Sequence, residues 1–128
     1  MKEEKSTTII AQQFDGMNDL IIDAIRDIKG KNVLLIDLTK IEDAPARYFI
    51  ICEGESTVQV SSIASNIKKR VKEEWGVKND HMEGMKESKW VLIDYFDTIV
   101  HVFYPETREF YDIEGLWSDG RFVEYQDL

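Results

Sequence analysis

The chain has 128 residues and a formal net charge of −9, from 25 acidic and 16 basic side chains. This length predicts one domain with a buried core, and no apolar run approaches the roughly 18–20 residues that span a bilayer. The negative charge repels phosphate backbones, so direct nucleic-acid binding is not expected to dominate, whereas a basic protein partner and plain solubility are both compatible with it.

The N-terminal segment, residues 1–15, mixes charged, Ser, Thr and Gln side chains without a clear periodicity. This composition predicts a mobile arm. The segment lacks the long apolar region and the cleavage site of a secretory signal. The chain has a single cysteine, Cys52, which excludes an internal disulfide and fits a reducing compartment. We therefore expect a soluble, cytoplasmic protein.

A first helix is predicted from about Asn18, where apolar residues follow helical spacing. Asp15 or Asn18 is a candidate N-cap, and Gly30 closes the helix. The apolar runs Asn32–Leu38 and Tyr48–Cys52 predict two buried strands, and residues 39–46 between them form a loop.

A second, longer helix is predicted after Ser56, which is a suitable N-cap, and it ends at Gly76. Its inner face is formed by apolar side chains at helical spacing: Val60, Ile63, Ala64, Ile67, Val71 and Trp75. Residues 79–88 are polar and predict a loop or a short edge strand.

The stretch Trp90–Tyr104 predicts a β-hairpin with Phe96 and Asp97 as its two-residue loop, and Pro105 stops its second strand. One face pairs Tyr95 with Thr98, Ile93 with Val100, and Val91 with Val102. The other face pairs Trp90 with Phe103, Leu92 with His101, and Asp94 with Ile99. The first face is expected to lie on the core. The second face mixes large aromatic rings with an acid and an imidazole, which is typical of a partly wet surface or an interface.

The C-terminal segment Arg108–Trp117 is expected to finish a strand edge and form a short helix. Phe110, Ile113 and Trp117 then share one helical face, and Ser118–Leu128 forms a tail. The folded domain accordingly covers residues 16–117. The order of elements predicts a single α/β domain with a mixed β-sheet and flanking helices.

Candidate catalytic residues are few. Three carboxylates lie at predicted strand ends, where nucleotidyl-transfer enzymes often place metal ligands: Asp37, Asp94 and Asp97. No paired acids on a strand accompany a Gly-Ser turn, and Asp97 is explained more simply as a turn residue. His81 and His101 have no Cys or His at ligand spacing. We expect no catalytic, cofactor or metal site, and metal-dependent catalysis remains the weaker alternative.

Two segments, Tyr48–Ile67 and Trp90–Trp117, resemble the ribosomal silencing factor family, also called Iojap-like proteins. The matching residues are Phe49–Cys52 with Gly54 and Ser56, then Trp90–Phe103 including Asp94, Asp97 and His101, then Arg108, Tyr111, Glu114, Leu116 and Trp117. The resemblance extends from about Met17 to Trp117. The combined pattern is specific, although each part alone is weak.

The resemblance implies a topology similar to nucleotidyltransferases without their catalytic residues. It implies binding to the large ribosomal subunit through its basic protein fourteen, where the factor sterically blocks joining of the small subunit and represses translation under nutrient limitation. Such a protein is not an enzyme. A homodimer of the free chain is left open, and two alternatives remain: a large-subunit assembly factor and a metal-dependent nucleotidyltransferase-like enzyme.

The predicted partner surface is the mixed face of the hairpin, with Asp97 at its tip. Its residues are Trp90, Leu92, Asp94, Asp97, His101 and Phe103. The competing interpretation places Trp90 and Phe103 under a helix. The sequence departs from the family at Phe96, where Gly is frequent and a turn with positive φ would be strained, and at Ala46–Arg47, where an acid is frequent.

Overall fold

The computed structural model describes residues 16–78 and 81–128. The helices are α1 Met17–Asp27, α2 Thr57–Trp75, α3 Pro105–Tyr111 and α4 Ile113–Leu116. The strands are β1 Lys31–Asp37, β2 Tyr48–Glu53, β3 Met82–Glu83, β4 Trp90–Asp94, β5 Thr98–Phe103 and β6 Arg121–Tyr125. No helix in these two ranges is long and apolar enough to cross a bilayer.

The strands form one six-stranded sheet in the order β3-β4-β5-β2-β1-β6. The central pair, β2 and β5, runs parallel, and every other neighbouring pair runs antiparallel. The predicted α/β fold with a mixed sheet is therefore confirmed. The predicted N-terminal arm, residues 1–15, lies outside the described residues.

The central strands β2 and β5 are buried on both faces. Their nearly continuous apolar sequences, without alternating polar residues, are typical of such strands. On one face, α1 and α2 pack against Val33, Leu35, Ile50, Cys52, Val91, Ile93, Val100 and Val102. On the other face, a second apolar cluster contains Leu34, Ile36, Leu38, Phe49, Ile51, Ile99, Phe103 and Ile113. The sheet thus has one side covered by α1 and α2 and an opposite side on which the short α4 contributes Ile113 to the second cluster.

The first predicted helix is confirmed as α1, but its predicted N-cap is wrong. Gly16 is the N-cap, and no side chain caps the helix. Asn18 instead accepts a hydrogen bond through Oδ1 from the Thr98 hydroxyl at 2.6 Å, which ties the helix to the start of β5. At the other end, Lys29 adopts a left-handed φ of 63°, and the Gly30 N–H donates to the Ile25 carbonyl at 3.0 Å, so Gly30 takes part in closing the helix as predicted.

The second predicted helix is confirmed as α2. The Ser56 hydroxyl accepts a hydrogen bond from the backbone N–H of Gln59, and Gly76 closes the helix with a left-handed φ of 69°. The predicted inner face is buried except at Trp75, which is 38% exposed. Arg70 joins α2 to α1 through ion pairs with Asp23 and Asp27 at 2.6 and 2.9 Å.

The predicted hairpin register is confirmed at the five pairs from Trp90–Phe103 to Asp94–Ile99. The two-residue loop is also as predicted, with Phe96 at a positive φ of 73°. The Tyr95 N–H donates to the Thr98 carbonyl at 2.9 Å, and the Asp94 carboxylate accepts from the Phe96 N–H at 2.8 Å. The short edge strand expected within residues 79–88 is β3.

The C-terminal prediction is wrong in two respects. Arg108 does not finish a strand, because α3 begins at Pro105 and runs to Tyr111. Asp112 then breaks the helix with a left-handed φ of 45°, so Phe110 turns to solvent and is 79% exposed while Ile113 is buried.

Residues 118–128 do not form a tail. They contain β6, which pairs antiparallel with β1 over five residues, from Val33–Tyr125 to Asp37–Arg121. The pairing supplies backbone partners to the outer edge of β1, which would otherwise present a row of unpaired N–H and C=O groups at the sheet edge. The sheet therefore extends beyond the domain boundary predicted at residue 117.

Candidate partner-binding surface

The outer face of β4 is partly open to solvent. Trp90 and Leu92 are half-buried and Asp94 is exposed, whereas the intervening Val91 and Ile93 point into the helical side of the core. This alternation follows from the two-residue period of a strand. The prediction of a mixed, partly wet face is therefore confirmed for the β4 side of the hairpin.

The β5 side of the same face is buried. Phe103 is 0% and His101 is 4% exposed. The Trp90 ring lies 4.9 Å from the Phe103 ring, and the Phe49 ring lies 4.6 Å from the His101 ring, centroid to centroid. The prediction of a wet face is thus wrong at His101 and Phe103, because side chains from β2, β4 and α4 close over them. Contact of any hairpin residue with a partner stays a prediction.

His101 is a neutral part of this aromatic layer. Its Nδ1 accepts a hydrogen bond from the Trp90 indole Nε1–H at 3.1 Å, so the neutral ring carries its proton on Nε2. That Nε2 atom is buried and has no hydrogen-bond partner among the described residues. Burial lowers the pKa of His101 to about 4. The imidazole therefore orients Trp90 and offers no charge to a partner.

An exposed apolar patch continues from Trp90 onto α3. The Tyr111 ring lies 4.9 Å from the Trp90 ring and 5.0 Å from the Phe110 ring. Phe110 is 79% and Tyr111 is 54% exposed, and Leu116 on α4 is 75% exposed. Large exposed apolar side chains that adjoin one another are typical of protein-binding surfaces. The sequence pattern did not identify Phe110, because its spacing from Ile113 indicated a single buried helical face.

Arg108 fastens α3 and α4 to the sheet. Its guanidinium pairs with Glu114 at 2.8 Å and with Glu53 at 3.0 Å, and it donates to the Asn32 carbonyl at 2.8 Å. The Arg108 side chain is 11% exposed. Arg108 and Glu114 belong to the family motif, but their positioning role depends on Glu53 and Asn32, which lie far away in sequence. No local pattern indicates that partnership.

A cleft lies at the end of the sheet between the hairpin loop and the loop that joins β1 to β2. It has a volume of about 500 Å³ and is lined by Leu38, Thr39, Ile41, Asp43, Ala44, Pro45, Ala46, Arg47, Asp94, Phe96 and Asp97. The predicted tip residue Asp97 thus lies on this cleft together with Asp94. The hairpin contributes its exposed end to the same surface as the outer face of β4.

The three carboxylates considered as metal ligands do not form a metal site. Asp37 accepts hydrogen bonds from the Thr39 hydroxyl at 2.6 Å and the Thr39 N–H at 2.9 Å, and these bonds lower the pKa of Asp37. Asp94 and Asp97 lie at the hairpin end. Within residues 16–78 and 81–128, no group of three or more His, Cys, Asp or Glu side chains comes together in a way that could hold a metal ion.

Comparison with known proteins identifies the family. The family described as ribosomal silencing factor during starvation matches residues 11–128. The chain is 38% identical over 109 residues to the ribosomal silencing factor RsfS of Halalkalibacterium halodurans, which covers 85% of this chain and 92% of the relative. It is 41% identical over 101 residues to the RsfS of Bacillus subtilis, covering 79% and 84% of the two chains.

A solved structure agrees with the sequence comparison. The crystal structure of a protein from Chromobacterium violaceum superposes with a TM-score of 0.75 at 37% identity, over 80% of this chain and 83% of that one. The match of the family over most of the chain, the two relatives above 30% identity and the shared fold lead to one conclusion. The chain belongs to the ribosomal silencing factor family.

Proposed function

We propose that this protein binds the large ribosomal subunit through its protein fourteen, prevents the small subunit from joining, and so represses translation when nutrients are limiting. The mechanism is steric exclusion in the cytoplasm, and it requires no catalytic step and no cofactor. Membership of the ribosomal silencing factor family supports the ribosomal target. The identity of the contacted protein rests on the resemblance of the hairpin and of the segment Arg108–Trp117 to that family.

One structural observation supports a protein-binding role most directly: an open aromatic and apolar surface runs along β4 and onto α3. We call it the hairpin–α3 surface, and it comprises Trp90, Leu92, Asp94, Phe110 and Tyr111. Interfaces are enriched in aromatic side chains at their centre, and a few such residues supply most of the binding free energy. Here Tyr111 rests on Trp90, and Trp90 is oriented by His101, so the aromatic groups are already ordered before a partner arrives.

The charge of the chain is consistent with this partner. A formal net charge of −9 attracts a basic ribosomal protein and speeds its association, an effect that weakens as salt screens the charges. The same field disfavours ribosomal RNA as the main contact. We therefore expect the affinity for large subunits to fall as ionic strength rises, through a slower association rate.

The burial of Phe103 changes which variants can test the proposal. Replacing Phe103 by Ala would open a cavity in the sheet and cost about 3–5 kcal/mol of stability, so lost binding would be uninformative. Phe110 is the sharper probe because it is 79% exposed, and Val58 at the start of α2 is a matched control at 73% exposure. The two residues differ in location but are exposed to a similar extent.

The test is co-sedimentation with purified large subunits on a sucrose gradient. We expect the wild-type chain and the Val58→Ala variant to migrate with free large subunits and to be missing from joined ribosomes. Phe110→Ala should weaken binding at least about tenfold, because truncating an aromatic hot spot costs about 2 kcal/mol or more, with an unchanged circular dichroism spectrum. Failure of the wild-type chain to bind large subunits, or equal binding to joined ribosomes, would contradict the proposal.

A further inference from the structure

Phe96 at the tip of the hairpin has two properties that folding does not explain. Its φ of 73° lies in the left-handed region, where an aromatic residue is disfavoured relative to glycine. Its side chain is also 86% exposed, so the ring gains little from burial in the chain's own core. A residue that keeps an unfavourable backbone conformation while its aromatic ring stays exposed is a candidate for a role in recognition.

The turn itself does not need the aromatic ring. The hydrogen bonds that hold it are the Tyr95 N–H to the Thr98 carbonyl, the Asp97 N–H to the Tyr95 carbonyl, both at 2.9 Å, and the Phe96 N–H to the Asp94 carboxylate at 2.8 Å. Each uses backbone atoms or the side chain of Asp94. Glycine at position 96 would therefore keep the same turn and remove the steric cost of its left-handed φ.

The cleft beside Phe96 is fixed by backbone hydrogen bonds. The Asp97 carbonyl accepts from the N–H groups of Arg47 and Tyr48 at 2.9 and 3.0 Å, and the Arg47 carbonyl accepts from the Leu38 N–H at 2.8 Å. The first two bonds join the hairpin loop to the β2 end of the β1–β2 loop, and the third joins the two ends of that loop to each other. The cleft is therefore preformed, which reduces the entropy cost of placing a side chain in it.

The cleft is acidic at its rim and apolar below. Asp43, Asp94 and Asp97 are exposed carboxylates among its lining residues. Arg47 is the one basic residue in that lining. Its guanidinium lies 6.0 Å from the centroid of the Tyr48 ring, and that ring packs against the helical side of the core. Ala44 and Ala46 pack against the apolar cluster on the other side of the sheet and form apolar walls of the cleft.

The Phe96 ring lies beside these carboxylates in the cleft lining. An aromatic ring next to carboxylates is a suitable environment for a cationic side chain.

We propose that Phe96 and the cleft beside it receive a lysine or arginine side chain of the large-subunit protein partner. The ring contacts the cation through its face, and Asp94 and Asp97 pair with the charge. This step rests on the proposed function and extends the hairpin–α3 surface along β4. β4 rises about 13 Å from Trp90 to Asp94 and Phe96 lies just beyond its end, so Phe96 would contact the partner at the far end of this surface from Tyr111.

The Phe96→Gly variant tests the proposal because stability and binding should change in opposite directions. The melting temperature should rise, since glycine tolerates the left-handed conformation, while the affinity for purified large subunits should fall about tenfold on loss of a cation–π contact. Lys29→Gly is the matched control. Lys29 is also exposed and has a φ of 63°, but it follows α1 and does not line the cleft. Its variant should gain stability and keep its affinity.

A second variant identifies the chemistry of the partner. Asp97→Asn should weaken binding and reduce its salt dependence if a basic side chain occupies the cleft, whereas it should strengthen binding if the cleft faces RNA phosphate. Stronger binding of Asp97→Asn, or unchanged affinity of Phe96→Gly beside a wild-type chain that binds, would overturn this proposal alone. A wild-type chain that does not bind large subunits would overturn the proposed function as well.

Discussion

His101 sits in a layer where a charge has no favourable partner. It lies between the rings of Phe49, Trp90 and Phe103, and its buried Nε2–H has no hydrogen-bond acceptor among the described residues. Burial lowers its pKa to about 4 from an ordinary value of 6.5. The neutral form is therefore the one that the folded state accommodates.

The depressed pKa predicts an acid-sensitive fold. Below pH 6.5 the unfolded chain binds a proton at His101 that the folded chain does not bind until about pH 4, so stability is lost as the pH falls through that window. The expected loss is about 2 kcal/mol at pH 5 relative to neutral pH. Urea unfolding followed by tryptophan fluorescence at several pH values measures it.

His101→Asn is the control for this pH dependence. The Asn side chain can still accept the hydrogen bond from the Trp90 indole but does not titrate. The variant is expected to be less stable at neutral pH, because its smaller side chain leaves space in the layer. Its stability should fall less between pH 7 and pH 5 than that of the wild-type chain. An identical slope in the two proteins would show that another group causes the acid sensitivity.

At the scale of single elements, the short helices α3 and α4 depend on contacts with the rest of the chain for their stability. α3 has seven residues and none of them is buried, and isolated helices of that length are unstable in water. Their position depends on Ile113 in the second apolar cluster and on Arg108, which pairs with Glu53 on β2 and Glu114 on α4. Arg108 therefore controls the geometry of the exposed aromatic groups.

Arg108→Met is predicted to destabilise the fold by about 2 kcal/mol, because it leaves two partly buried carboxylates without their cation. Arg121→Met is the control, since Arg121 is 73% exposed and lies 3.5 Å from Asp37, and exposed pairs contribute at most about 0.5–1 kcal/mol. Thermal unfolding compares the two variants. A smaller loss for Arg108→Met than for Arg121→Met would contradict the assigned role.

The elements that the sequence predicts correctly are those with a local signal. α2 has a capping Ser56, a terminal Gly76 and a periodic inner face, and the hairpin has alternating side chains around a two-residue loop. β6 has no such signal, because its residues are mostly exposed and only Val123 and Tyr125 pack against the helical side of the core. Its strand partner β1 lies about ninety positions earlier in the chain, and no local pattern reports that pairing.

The candidate surface was predictable to a similar extent. Trp90, Leu92 and Asp94 follow from strand alternation, and the structure leaves them accessible. The burial of His101 and Phe103 was not predictable, because it depends on how Phe49 on β2 and the α3–α4 segment fold over the sheet. Phe96 was recognisable in sequence as a departure from the family pattern, but its exposure and its cleft are properties of the folded chain.

At the scale of the whole molecule, β6 is the edge strand beside β1, and the residues around it connect the two ends of the described chain. Its neighbour Gln126 accepts a hydrogen bond through its carbonyl from Arg26 on α1 at 2.8 Å, and the Asp127 carboxylate accepts one from the Asn32 N–H at 3.0 Å. Several contacts therefore depend on the last eight residues.

Deletion of residues 121–128 is predicted to cost at least about 3 kcal/mol and to lower the melting temperature by roughly 10 °C or more, because it uncovers β1 and removes two packed side chains. Deletion of Leu128 alone should leave the melting temperature unchanged, since this residue is 81% exposed. Differential scanning calorimetry distinguishes the two. Equal stability of the long deletion and the wild-type chain would mean that β6 contributes nothing to the fold.

The burial of Cys52 has a practical consequence. The thiol lies in the central strand β2, is 0% exposed, and has its pKa raised to about 12 by burial, so a maleimide or disulfide reagent can modify it only after the centre of the sheet opens. Since the sequence has one cysteine, the modification rate reports that opening without an engineered label. A ligand that binds only the closed form slows the rate by the factor set by its occupancy, which makes the native thiol a reporter of the proposed ribosome binding.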